Sequence, residues 1–327
     1  VVTVAVYVLN IDPLKPIARP AILTAFLGYL LVVVALMFDL GRPWNIWHPL
    51  IMWNPSSVMF EVAWCVTLYS TVLFLEFSGM LFERFGWHRV VRVQHALTFP
   101  LVVAGVVLST LHQSSLGTLY LIVPGKLHEL WYTAILPVQF FVSAIAVGLA
   151  MVIVESHLSS RAFGRQLEMP LLTTVGRALA GVLGVYAVIR VFDLLQRGVL
   201  GSLANLSYES NLALLELVPF LALPLVLLFR EAVRRSPRWL YGSALLVVAG
   251  FITNRLNVAI TGFEGAQGGH YVPSWAEAGI TLFIVALGFG AFAFAVKHLN
   301  VYPAEDDERG PEPAADAAAA AALPTAA

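Results

Sequence analysis

Apolar positions in this chain do not alternate with polar ones; they run on. Four windows hold no Asp, Glu, Lys or Arg at all: Pro20–Phe38, Val93–Gly125, Leu130–Val154 and Ala278–Val296. A helix rising 1.5 Å per residue needs roughly 20 such residues to cross the apolar core of a bilayer. These windows are far too long for barrel strands, and a helix satisfies its own backbone groups in lipid. The pattern predicts an all-α, polytopic transmembrane helix bundle with eight full spans. They fall near 18–40, 57–80, 94–115, 132–155, 172–193, 211–230, 238–258 and 276–297, and a partial ninth lies before Asn10. The opening "VVTVAVYVLN" lacks Met and reads as the end of a helix, so an N-terminally incomplete chain is expected. The division expected is a transmembrane domain over 1–300 and a tail over 301–327. After Pro303 that tail is acidic and then Ala/Pro-rich, a low-complexity composition expected to stay disordered.

Composition agrees with the pattern. Of 327 residues, 59% are hydrophobic and 12% are charged, against about 25% charged in soluble domains. The net charge of −1 identifies no partner, and no nucleic acid is expected as one. Cys65 is the only cysteine. That excludes a disulfide framework, and an iron–sulfur cluster held by this chain alone would need about four thiolates. No CxxCH run for covalent haem is present.

Charge sets the orientation. The connections near 11–19, 81–94, 156–171 and 230–238 hold Lys15, Arg19, Arg84, Arg89, Arg92, Arg161, Arg165, Arg230, Arg234, Arg235 and Arg238. The alternate connections hold only Arg42, Lys126 and Arg197. The positive-inside rule places the first set and the C-terminus in the cytoplasm, so a multi-pass protein of a bacterial inner membrane is expected. The outward loops would carry an aromatic belt of Trp44, Trp47, Trp53, Trp131 and Trp275.

Charges inside spans cost roughly 2.5–3.5 kcal/mol on insertion scales, so those that remain need a reason. Most sit near the outer ends: Asp39, Arg42, Glu61, His112, Gln113, Arg190, Asp193, Glu216 and Arg255. Their similar depth suggests one polar pocket a turn or two below the outer surface. Asp39 with Arg42, and Arg190 with Asp193, stand at i,i+3 and could neutralise each other. Glu61 and Glu216 have no basic residue within a turn, so a partner such as Arg190 or Arg255 on another helix is the structural alternative. The run "LSTLHQSSLG" raises the same choice. Its His112, Gln113, Ser114 and Ser115 either cap a helix end by bonding its free carbonyls, or hold a polar head group. No histidine falls at mid-membrane: His48, His112, His128 and His270 lie outward, and His88, His95, His157 and His298 inward. His95 and His112 share a helix about 25 Å apart, which suits a bis-His haem poorly. A quinone fits better: its tail stays in lipid, its carbonyls take donors such as His112 or Gln113, and Asp39, Glu61 or Glu216 could pass its protons. A transporter, which would favour broken helices and a midplane site, and a non-catalytic anchor remain as alternatives.

Several stretches are similar to a known family: "RPAILTAFLGYLL", "DLGRPWN", "SVMFEVAWCVTLYSTVLFLEF", "LFERFGW" and above all "LSTLHQSSLGTL". The chain resembles the NrfD/PsrC family of quinone-reactive membrane subunits, and within it the HybB-type subunit of periplasmic nickel–iron hydrogenases. The resemblance covers about residues 7 to 300. It implies a quinone-reducing subunit that takes up menaquinone or ubiquinone and itself holds no haem or iron–sulfur cluster. It implies a ferredoxin-like iron–sulfur partner on the periplasmic face, fed by hydrogenase large and small subunits. A molybdoenzyme or multihaem cytochrome complex is the alternative donor. Carried over by position, Asp39, Arg42, Trp44, His112 and Gln113 would bind quinone, and Glu61, Glu216 and Asp193 would transfer protons. Arg190 and Arg255 would act as supporting charge pairs.

Overall fold

The computed structural model describes residues 2–302 except 9, 10, 12, 13, 124, 206, 270 and 300. The tail from 303 to 327 and His270 lie outside the described residues. All regular structure among those described is helical. Eight helices are long and apolar enough to span a membrane: Lys15–Asp39, Val58–Arg84, His88–Ile122, Leu136–Phe163, Met169–Gln196, Tyr208–Phe229, Pro237–Gln267 and Trp275–His298. They are numbered here as the first to eighth spans. A short helix, Val2–Tyr7, stands where the partial span is predicted. The chain is an integral membrane protein.

Local chemistry sets where the spans begin and stop. Ser57, Ser207 and Ser274 cap the second, sixth and eighth spans, each accepting from a backbone N–H three residues on. Proline stands in the first turn of the first, fourth, fifth and seventh, where its missing N–H removes no helical bond. Gly164 stops the fourth in the left-handed region at φ 67°. The sixth and seventh spans each contain a π turn, Val218–Ala222 and Asn257–Thr261. These two spans touch closely: a Cβ on Gly250 would stand 2.8 Å from the Phe220 carbonyl oxygen.

The spans pack as two groups. The fourth, fifth, sixth and seventh form a closed ring, fourth to fifth to sixth to seventh and back to the fourth. Its core includes Leu149, Ala150, Ile153, Leu179, Leu183, Leu228 and Ala244. The eighth, first, second and third form an open row. Half of the fourth span's most apolar window is buried inside the protein, against 6% for the third and eighth. The ring is therefore held by protein packing, whereas the row presents its apolar sides to the membrane.

Two span ends differ from expectation. The third helix does not stop at the polar run; it continues as an α-helix to Leu119. Ser115 and Thr118 bond back to carbonyls four residues earlier, Leu111 at 2.8 Å and Ser114 at 3.0 Å, so their hydroxyls turn into the helix rather than cap its end. The seventh span likewise runs on through its π turn to Gln267, which leaves Arg255 well inside it.

The third span meets the start of the fourth at Gly117. A Cβ there would come within 2.6 Å of Pro137 Cα, a backbone atom that cannot swing away. Gly117→Ala is expected to lower stability by about 1–3 kcal/mol through overpacking. Gly148→Ala, with no neighbour within 4 Å, is expected to be near neutral. Thermal denaturation of both variants in detergent checks this, and equal melting would disprove the close contact.

Candidate functional site

The polar residues predicted to share one pocket form two separate clusters. No hydrogen bond or ion pair joins them among the described residues.

The first cluster lies in the open row. Glu61, one turn into the second span, has Oε1 2.5 Å from Ser115 Oγ of the third, whose single proton is shared between this carboxylate and the Leu111 carbonyl. Ser115 is three residues past His112, so both side chains fall on one side of the helix. His112 is buried, and its Nδ1 has no hydrogen-bond partner. Its ring faces Tyr29 of the first span with centroids 5.7 Å apart. Tyr29 in turn meets the edge of Tyr69 at 4.6 Å and lies near the Gln113 side chain. Three spans thus bring a carboxylate, a hydroxyl, an imidazole, an amide and a phenol to one place.

Asp39, Arg42 and Trp44 follow the first span at the same end and are exposed. Asp39 and Arg42 do not pair with each other; Asp39 instead exerts its charge on Tyr271, in the loop before the eighth span. Trp44 sits in a short turn, Pro43–Asn45, and is 67% exposed.

The second cluster lies inside the ring. Each oxygen of the buried Glu216 carboxylate accepts two bonds. Oε1 takes Asn254 Nδ2 at 2.9 Å and Arg190 Nη2 at 3.5 Å. Oε2 takes Asn257 Nδ2 at 3.0 Å and Trp131 Nε1 at 3.1 Å. Gln139 bridges onward, accepting from Arg190 at 3.4 Å and donating to Asp193 at 3.3 Å. Asp193 also accepts from Thr133 at 2.5 Å and from Arg197 at 2.7 Å. Arg255 donates to Asn254, Ser143 and the Phe140 carbonyl, and its guanidinium lies 3.5 Å from the Phe140 ring centre.

Two expectations change here. Arg190 and Asp193 are not each other's partners: Arg190 turns across to the sixth span, and Asp193 takes Arg197 at i+4. Trp131 is not an interface anchor but is fully buried, because its N–H is one of the donors Glu216 requires. The same network fixes the loop above it, since Arg197 also donates to the Tyr132 and Glu129 carbonyls. Residues missed by sequence reading were Tyr29, Trp131, Thr133, Gln139, Arg197, Asn254 and Asn257. The asparagines were detectable, because "TNRLN" is a polar run within a span; a single Tyr29 among apolar residues gives no such signal.

The two clusters differ chemically. The Glu216 carboxylate, with two donors on each oxygen, has its acceptor positions filled by the protein. An imidazole nitrogen buried without a partner is costly unless something is meant to bind it.

The chain matches the model of the family described as "Polysulphide reductase, NrfD" over residues 1–264. A protein of Nitratidesulfovibrio vulgaris is 37% identical over 311 residues, which are 92% of this chain and 80% of that protein. The "Probable Ni/Fe-hydrogenase 2 b-type cytochrome subunit" of Escherichia coli is 32% identical over 305 residues, 91% of this chain and 77% of that one. The "Menaquinone reductase, integral membrane subunit" of N. vulgaris is 28% identical over 330 residues, 91% and 78% of the respective chains.

Removing the carboxylate of the second cluster leaves Arg190 charged in the ring core. Glu216→Gln is expected to cost about 3–5 kcal/mol, and Arg190→Met with Glu216→Leu to recover much of that loss. Unfolding in mixed micelles by SDS titration measures both. A Glu216→Gln protein as stable as the parent would contradict the assigned pairing.

Proposed function

Because the chain belongs to the NrfD family, we propose that it is the quinone-reactive membrane subunit of a respiratory oxidoreductase, with its quinone site at the Glu61–His112 cluster. The observation that carries this is the orphaned Nδ1 of buried His112, beside Gln113 and Tyr29 and next to a carboxylate on a neighbouring span. The donors suit the two carbonyls of a quinone head. Menaquinone and ubiquinone fit equally, because both offer the same pair of acceptors. Leu111, Val107 and Val103 lie at i,i+4 spacing on the third span and are 45%, 52% and 42% exposed, an apolar strip suited to an isoprenoid tail. Asp39, Arg42 and Trp44 line the same end and would bound the entrance.

Reduction of a quinone consumes two electrons and two protons. Electrons would come from an iron–sulfur protein docked on the tryptophan-rich end, which the positive-inside rule makes the periplasmic face. That protein would resemble a ferredoxin and be served by nickel–iron hydrogenase subunits; the name of the E. coli relative supports that donor. The name of the N. vulgaris menaquinone reductase subunit supports the quinone itself, and leaves open a complex with another catalytic subunit. Glu61 delivers a proton at the head group, and Ser115 holds its carboxylate in place. Asp193 and Glu216 contribute through the field of the ring rather than as carriers, with Arg190 and Arg255 balancing them. We assign no haem to this chain. A reduced-minus-oxidised spectrum of the purified subunit lacking a b-type band agrees with that assignment, and a stoichiometric b-type band would refute it.

Glu61→Gln is expected to lower quinone reduction by the intact complex about 10²-fold or more while the subunits still co-purify. His112→Ala is expected to raise the quinone KM as well as slow turnover. Unchanged turnover in Glu61→Gln would remove that residue from the mechanism, and an unchanged KM in His112→Ala would move the head group elsewhere.

A further inference from the structure

Arg177 serves neither cluster. It lies on the fifth span, eight residues past Met169 and so about 12 Å along it. Its side chain is exposed, and among the described residues it makes no hydrogen bond or ion pair. Thr173, four residues before it, donates to the Arg234 carbonyl at 3.2 Å. A Cβ on Gly184, seven residues after it, would stand 3.8 Å from the Phe229 ring. Residues at these spacings share one side of a helix. Arg177 therefore stands on the seam between the fifth span and the hairpin that joins the sixth to the seventh, between the level of Phe229 and that of Arg234.

The hairpin adds charge of the same sign. Arg230, Arg234, Arg235 and Arg238 fall within residues 230–238. Glu231 is the only acidic residue between Glu216 and Glu264, and it already pairs with Arg235 at 2.5 Å. Arg234 turns back to donate to the Leu228 and Phe229 carbonyls, which caps the sixth span and fixes the turn. Arg230, where the backbone leaves the helix in an extended conformation, makes no hydrogen bond or ion pair among the described residues. Arg238 makes none either, and the exposed Trp239 beside it suits the membrane interface. Guanidinium groups stay charged, so the seam carries positive charge that no carboxylate of this hairpin balances.

One turn further into the span the surface becomes apolar. Gly181 is exposed, with nothing within 4 Å of where its Cβ would be. Val226 and Phe229 of the sixth span are exposed beside it. Positive charge at the level of the interface with a smooth apolar groove above it is the order of groups a phospholipid needs; a free phosphate would have no use for the groove. Basic pockets between spans on this side of a membrane take anionic head groups.

We infer that the seam between the fifth span and the sixth–seventh hairpin binds an anionic phospholipid from the leaflet at the arginine-rich end. Arg177 and Arg230 hold the phosphate, Arg234 sets the turn that presents them, and one acyl chain lies over Gly181 and Gly184 against Phe229. An anionic head group is chosen over a zwitterionic one because an ammonium would meet arginines and no unpaired carboxylate. This goes beyond the quinone reading and does not depend on it.

The test places the full complex in nanodiscs containing a phosphatidylglycerol with a photoactivatable diazirine in one acyl chain. Peptide mass spectrometry then maps the label. Label is expected on the fifth span around Gly181 and Gly184 and on the sixth around Val226 and Phe229. Excess unlabelled phosphatidylglycerol is expected to suppress it, and the same excess of phosphatidylethanolamine to leave it. Arg177→Gln is expected to lower the label about fivefold, and Arg177→Lys to keep most of it. Arg161→Gln, on another connection, is expected to change nothing. Equal suppression by both lipids would overturn the site, and so would undiminished label in Arg177→Gln. The competition uses the parent protein and decides the matter even if that variant does not assemble. Labelling is read without turnover, so failure of quinone reduction would leave this result standing.

Discussion

A hydrocarbon solvent offers no hydrogen bonds, so every polar group carried into it has to find its partner within the protein. That constraint organises this molecule. The ring of the fourth to seventh spans meets it fully at Glu216. Two asparagines, an arginine and an indole N–H surround one carboxylate. The consequences spread outward: Trp131 is drawn into the core, Gln139 carries the network to Asp193, and Arg197 ties the loop above to the same anchor. The open row leaves the constraint unmet at His112, whose Nδ1 is buried without a partner beside Tyr29, Gln113 and the Glu61–Ser115 pair. The unpartnered atoms of the ring, Arg190 Nε and Arg197 Nε, belong to guanidinium groups already bonded through their other nitrogens, whereas His112 Nδ1 is an imidazole position that a ligand could fill; on that difference we propose scaffold for the ring and chemistry for the row.

The run of polar residues in "LSTLHQSSLG" belongs to this division of labour. It is not a helix end. His112 and Ser115 point to the site, and two residues later Gly117 lets the helix touch the backbone of Pro137 at the head of the ring. One and a half turns of helix therefore carry both the candidate chemistry and the joint between the two groups. Change at the joint would be felt at the site, because the imidazole and the contact share one rigid segment.

Much of this was legible in the sequence. The long apolar runs placed all eight spans, because hydropathy over 20 residues is dictated by the bilayer and not by tertiary detail. The charges within the spans were also found, since any charge in such a run stands out. What could not be read was who pairs with whom. Sequence spacing suggested Arg190 with Asp193, yet the side chains divide between the ring core and the loop above it. Nearness along one helix says nothing about which neighbour offers a better partner across the interface. Helix ends were misread for a related reason: hydroxyls at Ser115 and Thr118 can bond back into the helix as easily as cap it. Trp131 shows the limit most plainly, because an indole suits an interface and a buried carboxylate equally well until the fold chooses.

The central claim is that the unfilled site, not the saturated one, receives the quinone. It is tested most directly by photolysing a radiolabelled azidoquinone with the intact complex and mapping the labelled peptides. The account predicts label on the third span around His112 and Gln113 and on the first span around Tyr29, suppressed by excess unlabelled quinone. Competable label confined to the sixth and seventh spans, around Glu216 and Asn254, would contradict it.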